Sequence, residues 1–328
     1  MHSIKQLRVL FFLRPVMASN EEIWTAALNG NVARLTALIA AKADIDCENL
    51  WEKKTPLHQA ALGGHPAAMQ LLIVMQMLID AKAMVNDSMD SSTPLHAAAR
   101  SGNGAAADVL IAAKADVHAF DGWGKSALHY AVRYGHSAAV QILVDAKAAI
   151  EVKDKEYATP LHDASVFGRS IYVQVLIDAK AALNLKDKDG RTPLHLAASS
   201  ASRQYGYYAE EMKGHRAVAR ALIVAKADLN IENKDGETPL LMAMRNNRSS
   251  IAQDLIYAKA SVDLCDAHGK TALHYATEQH HNEILRMLVD SSANMGYSSS
   301  CDEGVEPVHR RKSSKRGRGR HSHGGQDQ

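Results

Sequence analysis

Apolar residues recur along most of the chain at the spacing of a helix surface, in short stretches separated by polar turns. In one such stretch, Val140, Leu143 and Val144 lie three and four residues apart, so they form a single stripe of a helix. Segments rich in Asp, Lys, Asn and Gly separate the stretches, for example 186–190 and 233–236, and their composition favours tight turns. The pattern therefore predicts many short amphipathic helices joined by turns.

The pattern repeats with a fixed period. Seven segments open with Thr-Pro-Leu-His or a close variant, at Thr55, Thr93, Ser126, Thr159, Thr192, Thr238 and Thr271. Four of the six intervals between these openings are 33 residues, and the other two are 38 and 46. The tripeptide Ala-Lys-Ala keeps the same phase and places its lysine at Lys42, Lys82, Lys114, Lys147, Lys180, Lys226 and Lys259. Two landmarks with one period identify an internal repeat.

Each repeat predicts a helix, a turn, a second helix and a polar finger. The opening Thr or Ser supplies an N-cap oxygen, and Pro follows at the first helical position, where its missing N–H costs nothing. Small pairs such as Ala97-Ala98 let neighbouring first helices approach closely, and glycines such as Gly102 and Gly135 end the first helix. A single unit is not expected to be stable alone, so the units must stack.

These repeats resemble the ankyrin repeat family, whose signature T-P-L-H-x-A-A recurs every 33 residues. The resemblance runs from about Glu21 to Asn294 and gives eight units, which open near residues 21, 55, 93, 126, 159, 192, 238 and 271. It implies an all-α solenoid of helix-turn-helix units with β-hairpin fingers. We accordingly divide the chain into a disordered lead-in (1–20), a repeat array (21–295) and a disordered basic tail (296–328).

The resemblance also implies a non-catalytic scaffold or adaptor that binds a protein on the concave face, which the first helices and the fingers form. Exposed aromatic side chains are favoured anchors at such surfaces. The preferred patch spans two neighbouring units and consists of Trp123, Tyr130, Tyr134, Tyr157, Asp163 and Phe167. Met242 and Tyr275 hold comparable positions in later units and are further candidate partner contacts.

Lysine and histidine each recur at one place in the unit, and each has two interpretations. The lysine of Ala-Lys-Ala stands where the resembled family has glycine, so it is expected to hold a left-handed backbone at a cost of about 1 to 2 kcal/mol. It is either a solvated helix cap or part of a basic ladder for an acidic partner. Histidine ends the tetrapeptide at His58, His96, His129, His162, His195 and His274. The resemblance implies that these histidines join neighbouring units by hydrogen bonds, and their spacing of one per repeat argues against a metal site.

Two insertions interrupt the period. In the sixth unit, residues 201–213 lie between the two helices and bring Tyr205, Tyr207 and Tyr208, which are either a binding loop or a tolerated surface insertion. In the second unit, extra residues around 74–79 are expected to lengthen the second helix.

Three asparagines, Asn86, Asn184 and Asn230, follow second helices and precede fingers. A local turn-forming role is expected of them. The resemblance implies an alternative, because asparagines at this place in the family can be hydroxylated.

The composition is that of a folded chain without a recognisable catalytic motif. Of the 328 residues, 46% are hydrophobic, and 38 Lys plus Arg nearly balance 36 Asp plus Glu, which argues against a protein that coats nucleic acid along its whole length. No phosphate-binding loop, dinucleotide fingerprint, nucleophile elbow or zinc-spaced cysteine pair occurs. We therefore expect no enzyme activity, cofactor, metal or small-molecule ligand.

Sequence features that bear on the compartment are few. No apolar stretch reaches the about 18 to 20 residues that span a bilayer, so no membrane contact is expected. Three scattered cysteines do not form a disulfide framework, which favours a reducing compartment. The lead-in carries Lys5, Arg8 and Arg14 around an apolar core too short for a secretory signal; it is either a disordered segment or a short transit peptide.

The tail carries a separate signal, a dense cluster of cations. Its basic residues are Arg310, Arg311, Lys312, Lys315, Arg316, Arg318 and Arg320. The cluster suits a nuclear-import address or weak nucleic-acid contact. Ser313 follows Arg310-Arg311-Lys312 as in a basophilic kinase site, so it is a candidate phosphorylation site. A solvated tail without a dedicated partner is the other interpretation. The alternatives to a scaffold are therefore a nuclear or nucleic-acid-associated regulator and a targeting subunit for an enzyme on another chain. We expect a cytoplasmic or nuclear location.

Overall fold

The computed structural model describes residues 20–49, 53–63, 68–88, 92–199 and 210–295, which contain sixteen helices in eight consecutive pairs. The first helices of the pairs are α1 (20–28), α3 (Pro56–Leu62), α5 (Pro94–Ser101), α7 (Ala127–Tyr134), α9 (Pro160–Val166), α11 (Pro193–Ala198), α13 (Pro239–Arg245) and α15 (Ala272–Glu278). The second helices are α2 (Val32–Ala40), α4 (Ala68–Asp80), α6 (Gly104–Ala112), α8 (Ser137–Asp145), α10 (Ser170–Asp178), α12 (Glu210–Val224), α14 (Ser249–Tyr257) and α16 (Asn282–Met295). The prediction of an all-α repeat solenoid is confirmed.

The helices stack in two rows. From α3 onward, each first helix contacts the first helix of the next unit, and the second helices contact one another in the same order from α2 to α16. The leucine of the tetrapeptide lies between units, and Leu57, Leu128 and Leu194 are fully buried. Small alanines such as Ala131 and Ala197 are equally buried. A core of Leu and Ala therefore runs the length of the array, as expected of closely packed thin helices.

The predicted helix starts coincide with the observed ones. Each of the seven Thr or Ser residues that open the tetrapeptide is the N-cap of a first helix. Gly102 and Gly135 close α5 and α7 in the left-handed conformation, with φ of 79° and 84°. The capping signals thus set the short length of the first helices.

The tetrapeptide histidines join neighbouring units, as predicted. Each of five buried imidazoles places its Nε2 near the main-chain carbonyl oxygen that precedes the next unit: His58 to Ser92 (2.8 Å), His96 to Lys125 (3.0 Å), His129 to Ala158 (3.2 Å), His162 to Arg191 (3.2 Å) and His195 to Glu237 (2.9 Å). Because a carbonyl oxygen only accepts, Nε2 carries the proton and Nδ1 is the acceptor. Nδ1 accepts from the main-chain N–H of the N-cap residue, for example Thr192 at 3.1 Å.

The recurrent lysines hold the left-handed conformation that was predicted for them. Lys42, Lys82, Lys114, Lys147, Lys180, Lys226 and Lys259 have φ between 57° and 73°, and all seven are exposed. An aspartate stands two residues from each of the first six, at Asp44, Asp80, Asp116, Asp145, Asp178 and Asp228. These carboxylates offset the positive charge along the edge, which favours the helix-cap interpretation over a basic ladder.

The asparagines after the second helices bridge units, and Asn86 and Asn184 also lie in turns, as expected. The Oδ1 of Asn86 accepts from the main-chain N–H of Asp116 at 2.7 Å, and the Oδ1 of Asn184 accepts from that of Asp228 at 3.0 Å. Asn230 accepts from Ser261 in the same way at 2.9 Å. A second line of hydrogen bonds between units therefore accompanies the histidine line.

The insertions extend second helices. Helix α4 has 13 residues and α12 has 15, against nine in α6, α8, α10 and α14. In α12, Gly214 lies against the carbonyl oxygen of Gly168, so close that a Cβ would stand 2.5 Å from that oxygen. The lengthening of α4 confirms the prediction. Tyr205, Tyr207 and Tyr208 lie outside the described residues, as do the lead-in up to residue 19 and the tail with Arg310, Arg311, Lys312, Ser313, Lys315 and Arg316.

Candidate functional site

A finger precedes each of the first helices α7, α9, α11, α13 and α15, and a buried acidic or amide side chain organises it. In the finger before α7, the Oδ1 of Asp121 accepts from the main-chain N–H groups of Trp123 (2.9 Å) and Lys125 (2.8 Å). Asp154, Asp187, Asn233 and Asp266 do the same in their own fingers. These side chains are turn residues, as predicted. Within the described part of the chain the fingers are turns without β-ladders; Cys265 and Thr271 form an isolated antiparallel bridge, and Ser92 is also a bridge residue. The expected β-hairpins are therefore not observed in the described fingers.

Main-chain hydrogen bonds link each finger to the next. The carbonyl oxygen of Trp123 accepts from Lys155 at 3.0 Å, and that of Glu156 accepts from Lys188 at 2.8 Å. The carbonyl oxygens of Asp189 and Asp235 continue the series by accepting from Lys234 and Ala267. Because both the turn and its neighbours are fixed, side chains on adjacent fingers keep a constant register.

Two neighbouring fingers carry large exposed aromatic side chains. Trp123 is 65% exposed and Tyr157 is 56% exposed. At the place of Trp123 the other described fingers have polar residues, namely Glu156, Asp189, Asp235 and His268. Exposed aromatic groups at positions that otherwise hold charged or polar residues indicate a contact surface.

Tyr157 also holds a strained backbone. Its φ is +58°, and the matching positions in the neighbouring fingers are glycines with φ from 72° to 78°: Gly124, Gly190, Gly236 and Gly269. A non-glycine residue in this region costs about 1 to 2 kcal/mol relative to glycine. The array therefore retains an exposed tyrosine where four other fingers use glycine, and Lys53 of the second unit is the other described non-glycine residue with a positive φ (46°) at this position.

Helix α7 continues the aromatic surface. The rings of Tyr130 and Tyr134 stack with centroids 6.3 Å apart and an interplanar angle of 7°, and Tyr134 stacks on His136 at 6.4 Å. The Tyr130 hydroxyl donates to the Oδ2 of Asp121. This hydrogen bond joins the stacked rings to the finger that bears Trp123. Burial, together with the Asp121 carboxylate, raises the Tyr130 pKa above its usual range, so the hydroxyl remains a donor.

Arginines from the preceding unit cover the aromatic rings at the ends of the first helices. The Arg100 guanidinium carbon lies 5.9 Å from the centroid of the Tyr134 ring, and that of Arg133 lies 5.0 Å from the Phe167 ring. Arg100 and Arg133 occupy the same position in successive units, and so do Tyr134 and Phe167. The same cation–π contact therefore occurs twice in succession and links three neighbouring units.

A buried ion network lies beneath this surface. The Lys125 ammonium is 2.6 Å from the Asp154 carboxylate and 3.3 Å from that of Asp163. Burial opposes the charge on Lys125, but the two carboxylates outweigh it and raise the Lys125 pKa; the Asp154 pKa is lowered in spite of burial by the same ammonium group. The network joins a finger, the next finger and α9 in a fixed arrangement.

Three of the residues predicted as partner contacts are buried. Asp163, Met242 and Tyr275 are 6%, 3% and 8% exposed. Asp163 neutralises Lys125, and Tyr275 donates to Asp266 at 2.6 Å, as Tyr130 does to Asp121. The expectation that these side chains face solvent is wrong, because at this position the repeat points its side chain toward the finger. Trp123, Tyr134 and Tyr157 are exposed and Tyr130 and Phe167 partly so.

The structure adds one residue to the surface that the sequence patterns missed. Phe120 is 51% exposed and directly precedes the Asp121 turn. Other fingers hold Lys153, Lys186 and Glu232 at that place. A comparison of the fingers position by position would have found it, because it is an aromatic residue where charged residues recur.

Two further findings concern sites of other kinds. No group of three or more His, Cys, Asp or Glu side chains in the described ranges is placed to hold a metal ion. No helix in the same ranges is long and apolar enough to cross a membrane.

Comparisons with known proteins agree with the geometry. The family model for ankyrin repeats (3 copies) matches residues 23–121, 73–154, 128–208 and 206–298, which together cover most of the chain. A search of curated proteins finds no match. The repeat period, the histidine hydrogen bonds, the stacked helix pairs and the family match agree, and the chain belongs to the ankyrin repeat family.

Proposed function

We propose that the array is a non-catalytic scaffold that binds a protein partner through an aromatic surface on units three to five. We call this surface, which consists of Phe120, Trp123, Tyr130, Tyr134, Tyr157 and Phe167, the aromatic patch. Proteins of this family are in general protein-interaction modules, and the site proposed here is the particular feature of this chain. The observation that carries the proposal is the pair of exposed aromatic residues on adjoining fingers, Trp123 and Tyr157, one of them at a strained position.

The rigidity of the surrounding structure supports this proposal. Hydrogen bonds between fingers and the Lys125 network hold the patch before any partner arrives. A preorganised surface loses little conformational entropy on binding, so a few aromatic anchors suffice for useful affinity. Trp and Tyr combine a large contact area with few rotatable bonds, which makes them frequent binding hot spots.

The test is affinity capture from a nuclease-treated lysate with the full chain and two matched variants. Trp123→Asp introduces an aspartate, which two other fingers already have at the same position as Asp189 and Asp235. The substitution is therefore compatible with the fold. Tyr257→Asp removes a side chain that is 74% exposed at the end of α14, away from the fingers, and copies the equivalent Asp178. Both variants are first checked for unchanged thermal unfolding.

We expect a protein that the parent and Tyr257→Asp retain and that Trp123→Asp loses. Equal retention by all three proteins would contradict the proposed site. Retention that depends on omitting the nuclease would instead favour the nucleic-acid-associated function.

A further inference from the structure

The charge around the aromatic patch is uneven. Every carboxylate that is buried beneath it is already engaged: Asp121 accepts from Tyr130 and two main-chain N–H groups, and Asp154 and Asp163 neutralise Lys125. The exposed Glu156 pairs with Lys188 of the next finger at 3.1 Å. No carboxylate of this group is free to meet a partner's cation.

Cations at the same surface remain available. Arg100, Lys153 and Lys155 are exposed and make no ion pair within the residues that the structure describes. Arg100 rests on the face of Tyr134, an arrangement that leaves the guanidinium N–H groups at the ring edge free to donate. Lys153 and Lys155 flank the turn of the finger that bears Tyr157.

The arginines of the later units differ in this respect. Arg191 pairs with Asp187 and Asp189 at 2.9 Å, and Arg245 pairs with Glu237 at 2.8 Å. Arg245 holds the same repeat position as Arg100 and Arg133. An unpaired arginine, Arg100, and exposed aromatic rings thus coincide in units three to five, where Arg133 lies 4.0 Å from Asp163, whereas Arg191 and Arg245 are neutralised within the array.

From this coincidence we infer that the partner segment which docks on the aromatic patch is an acidic peptide with an apolar or aromatic anchor. The inference rests on the proposed function and specifies its partner. The anchor packs against Trp123 and Tyr157, and the carboxylates of the peptide meet Arg100, Lys153 and Lys155. Charge-assisted hydrogen bonds from guanidinium to carboxylate are the strong contacts in such a complex.

The ring arrangement favours a peptide over a single-stranded nucleic acid. Nucleic acids bind along a row of free aromatic faces on which successive bases stack. Here Arg100 covers Tyr134, Arg133 covers Phe167, and Tyr130 stacks against Tyr134. Only the finger rings remain as open platforms, and three exposed cations do not form a groove that follows a phosphate backbone.

The experiment is a selection from a library of short random peptides on the full chain, with counter-selection on Trp123→Asp. The counter-selection protein retains the basic tail, so peptides that bind the tail alone are removed. The selected peptide and an analogue with Gln and Asn in place of Glu and Asp are then compared by fluorescence anisotropy. Binding is measured on the parent, Arg100→Gln, Lys155→Gln and the control Lys234→Gln, an exposed finger lysine two units away.

We expect Trp123-dependent peptides rich in Asp and Glu, and a loss of about tenfold in affinity for the neutral analogue. Arg100→Gln and Lys155→Gln should each weaken the acidic peptide by about threefold or more, and Lys234→Gln should not. The inference would be overturned if the selected peptides depended on Trp123 but were neutral or basic. It would also be overturned if the neutral analogue bound as well as the acidic peptide. In either case the proposed binding site would stand. Tighter binding of a single-stranded oligonucleotide in competition would overturn the inference as well. If no Trp123-dependent peptide is recovered, both the inference and the proposed site fail.

Discussion

The Nε2 of His195 donates a hydrogen bond of 2.9 Å to the main-chain carbonyl oxygen of Glu237, 42 residues further along the chain. The equivalent bond from His129 reaches Ala158 over 29 residues. The two bonds have the same role although residues 201–213 lie within one of the intervals. The insertion therefore leaves the stacking of units six and seven unchanged, as expected when extra residues are accommodated outside the core.

This relationship predicts that His195→Leu destabilises the array. Leucine is the natural residue at this place in the seventh unit, as Leu241, so it fits the core. It leaves the main-chain N–H of Thr192 and the carbonyl of Glu237 without their partner, which should cost about 1 to 3 kcal/mol in the free energy of unfolding. Urea unfolding measures the change. The reverse substitution Leu241→His should stabilise the contact with the eighth unit, and unchanged stability of His195→Leu would contradict this account.

The same histidines predict a loss of stability in mild acid. Burial lowers the pKa of His58, His96, His129, His162 and His195 below the ordinary 6.5, and that of His195 to about 4. Below pH 6.5 the unfolded chain takes up protons that the folded chain excludes, so the unfolded state is favoured. Each histidine contributes about 1.4 kcal/mol per pH unit between its two pKa values.

Urea midpoints at about pH 7.5 and about pH 5.5 measure this loss, and His195→Leu should show a smaller one. The ion-paired carboxylates whose pKa is lowered do not contribute to the change in stability between these two pH values. The pKa values of Asp154 and Asp254 are lowered below 3.8 by Lys125 and by two arginines respectively, which outweigh burial. Their stabilisation is present above pH 3.8 and is lost only under stronger acid. A midpoint that rises between pH 7.5 and 5.5 would contradict the neutral histidine assignment.

Replacing Lys147 with glycine should raise the melting temperature. Lys147 has φ of 62°, and glycine relieves a strain of about 1 kcal/mol. The control is Lys153→Gly, at an exposed lysine outside the left-handed set; there glycine only adds freedom to the unfolded chain and should be neutral or destabilising. If Lys147→Gly melts lower than the parent, the left-handed lysine is favourable in itself.

The ion network beneath the patch should be strongly coupled. Lys125→Met leaves Asp154 buried without its cation and leaves Asp163 with only Arg133 at 4.0 Å, which should cost about 3 kcal/mol in the free energy of unfolding. Adding Asp163→Asn removes one uncompensated charge, so the double variant should be more stable than the sum of the single changes predicts. Urea unfolding of the parent, the two single variants and the double variant gives the double-mutant cycle. Strict additivity would show that the three groups do not act together.

The period and the capping residues made the fold predictable. The opening tetrapeptide predicted where each first helix from α3 to α15 begins. The tripeptide Ala-Lys-Ala predicted where the left-handed turns lie. These signals are local, so sequence reasoning captures them. The bridging role of Asn86 was missed because its partner, Asp116, lies 30 residues away in the next unit.

The candidate site was predictable only in part. Trp123 and Tyr157 are exposed because fingers project from the stack, and the repeat pattern placed them on fingers. Asp163, Met242 and Tyr275 lie on first helices, where one side of the helix faces the finger and the other faces solvent. Which side a residue takes depends on how the finger packs back on the helix, and this packing is not encoded in helical spacing alone.

The most direct test of the account is the Tyr157→Gly variant, measured for thermal stability and for binding of the captured partner. Glycine is the residue of four neighbouring fingers at this position, so the variant should melt at a higher temperature than the parent. It should also bind the partner at least about tenfold more weakly, because an exposed anchor is lost. Higher stability with weaker binding shows that Tyr157 is retained for recognition at a cost to the fold. Unchanged binding by the stabilised variant would contradict the central claim.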